Sequence, residues 1–343
     1  MKKISFIILI ISVIFSSCKN GNWEFPDNDT SAAYFAYQTP VRTITLGTDY
    51  LNDNTLDNEH KCQIMATAQG FYEVKKDIVI SFRVDNSLCD NLANVTAMPS
   101  DYYSLSDNNT MIIKKGSKMI GGVVVTLTDK FFADPLSLTT KYVIPLQMTD
   151  VVNVDGILEG KDYTLYAVKY LNPWDATFLR RGTDNITING VSETVKRQGK
   201  YSPEEDELIK LNSISLTSIE FPVDNHRIEN VNLNMTFKLD FTGQNCTFAN
   251  GAWKDSKLVN EYSDENCRVF DIVISGNGEY RIDGEKQSWG KKDRDALYLT
   301  YKAEYKVEYP LGSNPKTVKV ETTDVLVLRD RNVKMETFEP VYK

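Results

Sequence analysis

The chain has 343 residues, 41% hydrophobic and 25% charged, a length that suits two globular domains each able to bury its own core. Its formal charge of −8 argues against a phosphate-backbone partner, so no nucleic acid is expected. The two histidines, His60 and His226, lie in opposite halves, which excludes a site built on adjacent imidazoles unless they converge.

Met1-Lys2-Lys3 is a short basic region, and residues 4–15 form an apolar run of signal-peptide length, too short to span a bilayer. Ser16-Ser17-Cys18 follows, two small residues before a cysteine, which is the bacterial lipoprotein pattern with Phe15 where Leu is usual. Residues 1–17 therefore read as a signal peptide and Cys18 as the lipidated residue that anchors the chain to a membrane. Ordinary secretory cleavage, with Cys18 incidental, is the alternative. Losing Lys2 and Lys3 takes the charge from −8 to −10. Residues 18–31 carry the lipidated Cys and a polar tether.

From Tyr34 onward, short runs of β-branched and aromatic residues alternate with polar ones. Strands are expected at 43–46, 62–66, 78–84, 110–114, 122–128, 142–148 and 163–170. Turn signals such as Gln69-Gly70, Asp107-Asn108-Asn109 and Asp155-Gly156 fall between them. Residues 32–172 thus read as an antiparallel β-sandwich. Asn172-Pro173-Trp174 marks the boundary, because Pro173 cannot donate to a ladder, and Trp174 is expected to pack between the domains. Residues 173–343 form a second β domain with strands at 185–188, 213–221, 231–241, 268–274, 278–282, 296–309, 317–323 and 325–329. Such a series suggests a meander that packs as a sandwich or closes into a barrel, calycin-like in outline. Ser202-Pro203-Glu204-Glu205 suits either one helical turn or an acidic loop. The fold class is all-β, since no stretch of helical period is long enough for a βαβ crossover.

Export permits disulfides, and Cys246 with Cys267 is the candidate bridge; Cys62 with Cys89 is a second pair. Buried thiols are an equal reading, and no C-x-x-C spacing supports zinc or thioredoxin chemistry. His60 sits in a charged turn and reads as a surface residue. Asp49, Asp53 and Asp57 lack calcium-loop spacing and read as a solvated turn. No catalytic residue, metal or cofactor is expected. A glycoside hydrolase, which needs only two facing carboxylates, is the less favoured alternative.

Aromatic residues make up 11% of the chain. Trp253 follows Asn250-Gly251-Ala252 in an expected loop, and Trp289 stands between Ser288 and Gly290 in a charged one. Flat rings offer sugars a stacking face, while nearby polar groups hydrogen-bond hydroxyls. The candidate ligand-binding residues are Trp289, Trp253, Asp293, Arg294 and Tyr298. In the competing reading Trp289 folds back over the end of the domain, with Asp293 and Arg294 as a structural ion pair.

Several motifs carry a family resemblance. They are Thr39-Pro-Val-Arg-Thr-Ile-Thr-Leu-Gly47, Asp57-Asn-Glu-His-Lys61, Phe131-Phe-Ala-Asp-Pro-Leu136, Tyr142-Val-Ile-Pro-Leu146, Tyr166-Ala-Val-Lys-Tyr170, Phe178-Leu-Arg-Arg-Gly182 and residues 289–299. With these the chain resembles two-domain Bacteroidetes lipoproteins of polysaccharide-utilisation loci, found beside SusC/SusD-type outer-membrane transporters. Its first half is similar to an immunoglobulin-like domain that also precedes some family 18 glycosidases, where it is non-catalytic. The resemblance implies a non-catalytic carbohydrate-binding lipoprotein of the outer membrane, at the cell surface. It would capture oligo- or polysaccharide beside a SusC/SusD-type importer. Lys19-Asn-Gly-Asn-Trp23 lacks the acidic run often seen in surface-exported members, which leaves the periplasmic face open. A structural or adhesin-like protein that binds another envelope protein is the alternative.

Overall fold

The computed structural model describes residues 30–228, 231–263, 266–331 and 333–343; the apolar leader, Cys18 and most of the tether lie outside these. Strands in the first part of the chain are β1 (Ala32–Tyr34), β2 (Pro40–Thr45), β3 (Lys61–Gln69), β4 (Ile78–Val84), β5 (Thr96–Ala97), β6 (Tyr103–Leu105), β7 (Thr110–Ile113), β8 (Ile120–Leu127), β9 (Tyr142–Val152), β10 (Gly156–Ile157) and β11 (Tyr163–Leu171). The second part holds β12 (Ala176–Ile188), β13 (Val191–Arg197), β14 (Glu207–Ser215), β15 (Ser218–Ile228), β16 (Val231–Thr242), β17 (Asn245–Phe248), β18 (Ala252–Lys254), β19 (Lys257–Val259), β20 (Glu261–Ser263), β21 (Arg268–Trp289), β22 (Lys292–Glu308), β23 (Lys316–Asp330) and β24 (Glu336–Thr337). The protein is all-β with two β-sheet domains.

In the first domain a five-stranded sheet, ordered β10-β1-β3-β8-β6, faces a seven-stranded sheet that runs β24-β2-β11-β9-β4-β7 with β5 on β9. Alternation explains the layers. Along β3, Cys62, Ile64, Ala66 and Ala68 point inward, and Ile78, Ile80 and Phe82 do so along β4. These meet Phe131, Phe132, Ile144 and Tyr170 in one core. The first extended segment divides between the sheets, with β1 in one and β2 in the other. As a result β2 pairs with β11 in parallel. His60 is half-buried rather than superficial: its φ is 59° and its ring lies 4.2 Å from that of Phe132.

The second domain is a long antiparallel meander. Neighbours follow β14-β15-β16-β17-β21-β22-β23, and β12 pairs with β23 along most of its length and with β14 through residues 176–180. The sheet therefore curls until its two ends meet on β12. Phe178, Leu211, Phe221, Phe237, Leu239, Leu299 and Tyr301 fill the inside. Trp174 belongs to this core, stacked on Phe241 at 3.7 Å, and so packs within the second domain rather than between the two. Residues 203–205 form a single 3-10 turn.

Cys246 and Cys267 are both buried thiols, and no disulfide joins them. Geometry forbids the bridge. Cys246 pairs with Gly278 in the middle of β21, whereas Cys267 precedes Arg268, the first residue of that strand. Ten residues of strand separate these points, about 33 Å at the usual rise and far beyond disulfide reach. Burial pushes the Cys246 thiol up to about 12. The final strand also departs from its assignment to the second domain, because β24 pairs with β2 and Phe338 packs beside Val41 and Leu92.

Candidate functional site

Residues 284–295, expected as a charged loop, are the paired ends of β21 and β22. Gly290 and Lys291 have φ values of 59° and 56°, the positive pair of a two-residue type I′ hairpin turn, and Trp289 pairs with Lys292 across it. Register shifts flank Glu285, and Asp283 and Gln287 also take positive φ, so bulges bend this end of the ladder. Charge hides the strand from the sequence: Lys286 and Asp293 pair across the hairpin, while Glu285 is held by Arg181 of β12.

Each candidate side chain has its own setting. The half-buried Trp289 ring carries the Arg329 guanidinium 5.3 Å from its centre. Asp293 does not pair with Arg294. It accepts from Lys286 Nζ at 3.0 Å and from the Gln287 amide at 3.0 Å, and the Lys286 bond holds its carboxyl below the ordinary value. Arg294 is buried, with its guanidinium 4.1 Å over the Tyr50 ring and Nε donating to the Trp289 carbonyl at 3.3 Å. Trp253 stands apart on the β18–β19 hairpin, where Nε1 donates to Glu220 Oε1 at 3.0 Å and Lys238 lies 5.9 Å from the ring. The hairpin thus groups Trp289, Asp293, Arg294 and Tyr298, while Trp253 lies over β15 and β16.

Tyr298 is half-buried on β22. Its hydroxyl donates to Glu285 Oε1 at 2.8 Å with the Gly284 carbonyl 3.1 Å away, and Arg281 covers one face at 4.7 Å. Desolvation, then the Glu285 bond, pushes the Tyr298 hydroxyl above the ordinary tyrosine pKa. The other side of Tyr298 opens on a depression of about 510 Å³ lined by Asn245, Thr247, Asn277, Glu279 and Thr300. Glu279 is paired with Arg281 at 2.6 Å, so the lining presents amides, hydroxyls and one ring without unmatched charge. Alternation alone places none of these residues together, because the juxtaposition depends on which strands pair.

Two polar centres also escaped the sequence reading. Tyr50, from the loop after β2, donates to Asp295 Oδ1 at 2.8 Å and accepts from the Asp295 amide at 2.9 Å. The fully buried Asp295 also accepts from the Tyr280 hydroxyl at 2.9 Å, tying the first domain to the hairpin base. Deeper inside, Asp324 accepts from Arg180 Nε at 3.0 Å, with the Arg180 Nη2 2.9 Å away as an ion pair, and from Arg197 Nη2 at 2.5 Å. Arg197 also holds Asp184 through bonds of 2.7 and 2.9 Å, giving a buried network of two cations and two anions. Asp49 and Asp53 cap local backbone amides, and the buried Asp57 engages Arg42 and the Thr45 amide. Among the described residues no cluster of His, Cys, Asp or Glu could hold a metal ion.

Two family models match the chain. One, a domain of unknown function (DUF5627), covers residues 173–332, and another, described as an N-terminal domain, covers 26–155. A crystal structure from Bacteroides ovatus, of unknown function, is 35% identical over 93% of this chain and 100% of its own, with a TM-score of 0.75. The chain belongs to the same family as that Bacteroides ovatus protein. An auxiliary nutrient binding protein of Bacteroides thetaiotaomicron is 14% identical, covering 83% of this chain and 90% of its own at TM-score 0.36. A candidate carbohydrate binding protein of Bacteroides ovatus is 13% identical, covering 82% and 70% at TM-score 0.26. No curated protein matches.

Proposed function

We propose that the protein is a non-catalytic carbohydrate-binding lipoprotein of the bacterial envelope. Cys18 anchors it to the outer membrane beside a SusC/SusD-type glycan importer, and its second domain makes the contacts. The observation that carries this reading is the depression beside Tyr298. Hydroxyls and carboxamides both donate and accept, which matches sugar hydroxyls, and a ring edges the same surface. The family resemblance at the motifs quoted above supports the same reading. Tyr298 is the primary contact in this proposal. Trp289 and Trp253 border the domain's outer surface, and Asp293 and Arg294 fix the hairpin shape. Affinity electrophoresis through gels containing a panel of polysaccharides tests it. At least one glycan should retard the wild type, and Tyr298→Ala should weaken that retardation about tenfold. Equal retardation of both forms would remove Tyr298 from the site; no retardation of the wild type would remove the function.

A further inference from the structure

Register extends the depression into a row. Thr247 pairs with Asn277, Asn277 with Thr300, Thr300 with Thr323, and Thr323 with Thr183, so five neighbouring strands each place one uncharged polar residue on the same line. All five lie on the outward face, because the residues flanking them, such as Cys246, Phe248, Tyr301, Thr322 and Asp184, are buried inside. None of the five side chains hydrogen-bonds to another part of the protein among the described residues. Beside the row, Glu279 is matched with Arg281 and Lys302 with Glu321.

Neighbouring strands lie about 4.8 Å apart, so the row offers a donor–acceptor group at each step over about 19 Å. That step is close to the length of one pyranose unit in an extended chain. Beyond Thr183 the line ends on Lys196, and beyond Thr247 on Asp240, which Lys238 pairs at 2.8 Å, so a polyanionic chain would meet one cation at one end and none along the five-residue row. On the reading that the protein binds carbohydrate, we propose that this row seats a linear, uncharged polysaccharide running across the strands of the second domain. Tyr298 flanks it, since Tyr298 pairs with Glu279 one row away.

The test is isothermal titration of the full chain with neutral linear glucans, mannans and xylans and with polygalacturonate. A triple variant (Asn277→Ala, Thr300→Ala, Thr323→Ala) and the single Thr300→Arg are titrated alongside. The wild type should bind a neutral linear chain, with affinity rising up to about five sugar units and then levelling. The triple variant should lose at least tenfold with an unchanged unfolding midpoint. Thr300→Arg provides a second, less invasive block of the same line, with the same expected loss. Wild-type affinity retained in both variants would overturn the row while leaving carbohydrate binding intact. Binding of polygalacturonate alone would overturn the neutral class. No binding of any glycan would overturn both this proposal and the function on which it rests.

Discussion

Replacing Asp324 by alanine is the sharpest test of how the second domain holds together. Both carboxylate oxygens are engaged, one by Arg197 and the other twice by Arg180, and neither Asp324 nor Arg180 has appreciable solvent contact. Truncation would leave Arg180 facing only the Tyr301 hydroxyl at 3.2 Å and the distant Glu207 carboxylate at 4.0 Å. An uncompensated buried charge of this kind costs about 3–5 kcal/mol. For a domain of this size that corresponds to a fall of roughly 6–20 °C in Tm. Calorimetry and urea titration at pH 7 measure it, with Lys302→Ala as an exposed control. A loss below about 1 kcal/mol, in the range of an exposed ion pair, would refute the assignment of a desolvated network. Replacing Arg180 and Asp324 together by methionine and leucine should recover much of the loss, since the cost lies in the unpaired charge.

Four further outcomes follow from the same structure. Tyr50→Phe should destabilise by about 1–2 kcal/mol through the lost Asp295 bonds and hasten proteolysis between the domains, as followed by limited digestion. Burial raises the Asp184 carboxyl, but Arg197 outweighs burial and holds it below its ordinary value, so its contribution to stability is present above about pH 4 and lost below it. Urea midpoints should accordingly be flat from pH 7 to 5 as far as this group is concerned, and a decline already under way at pH 6 that Asp184→Asn abolishes would contradict the sign. Trp289→Ala should cost only about 0.5–1 kcal/mol, the value of its stacking with Arg329, and leave glycan titrations within twofold. Truncation after residue 335 removes β24 and Phe338 and should destabilise the first domain by about 1–3 kcal/mol, read by hydrogen exchange on β2.

Alternation made the strands legible wherever one face is wet and the other buried. Ile78, Ile80 and Phe82 alternate with more polar or exposed neighbours, and β4 lies where expected. The β21–β22 hairpin tip was hidden because Lys286, Lys292 and Asp293 resemble a solvated loop, although Gly290 was its turn signal in plain view. Arg180 and Asp324 are 144 positions apart, and nothing local says that an arginine after Phe178-Leu179 points inward to meet a carboxylate. Tyr298 could be singled out as an aromatic residue in a polar setting. Its neighbours Asn277 and Thr247 could not, since they come together only through register.

The return of β24 to β2 makes the second domain a detour within the first. Residues at the edge of the opening sheet leave the ribosome after the whole curled meander, so the first domain's sheet is the last to be completed. Native order in one domain then waits on the synthesis of the other, and a chain interrupted before residue 336 presents an open β2 edge at which another chain can pair.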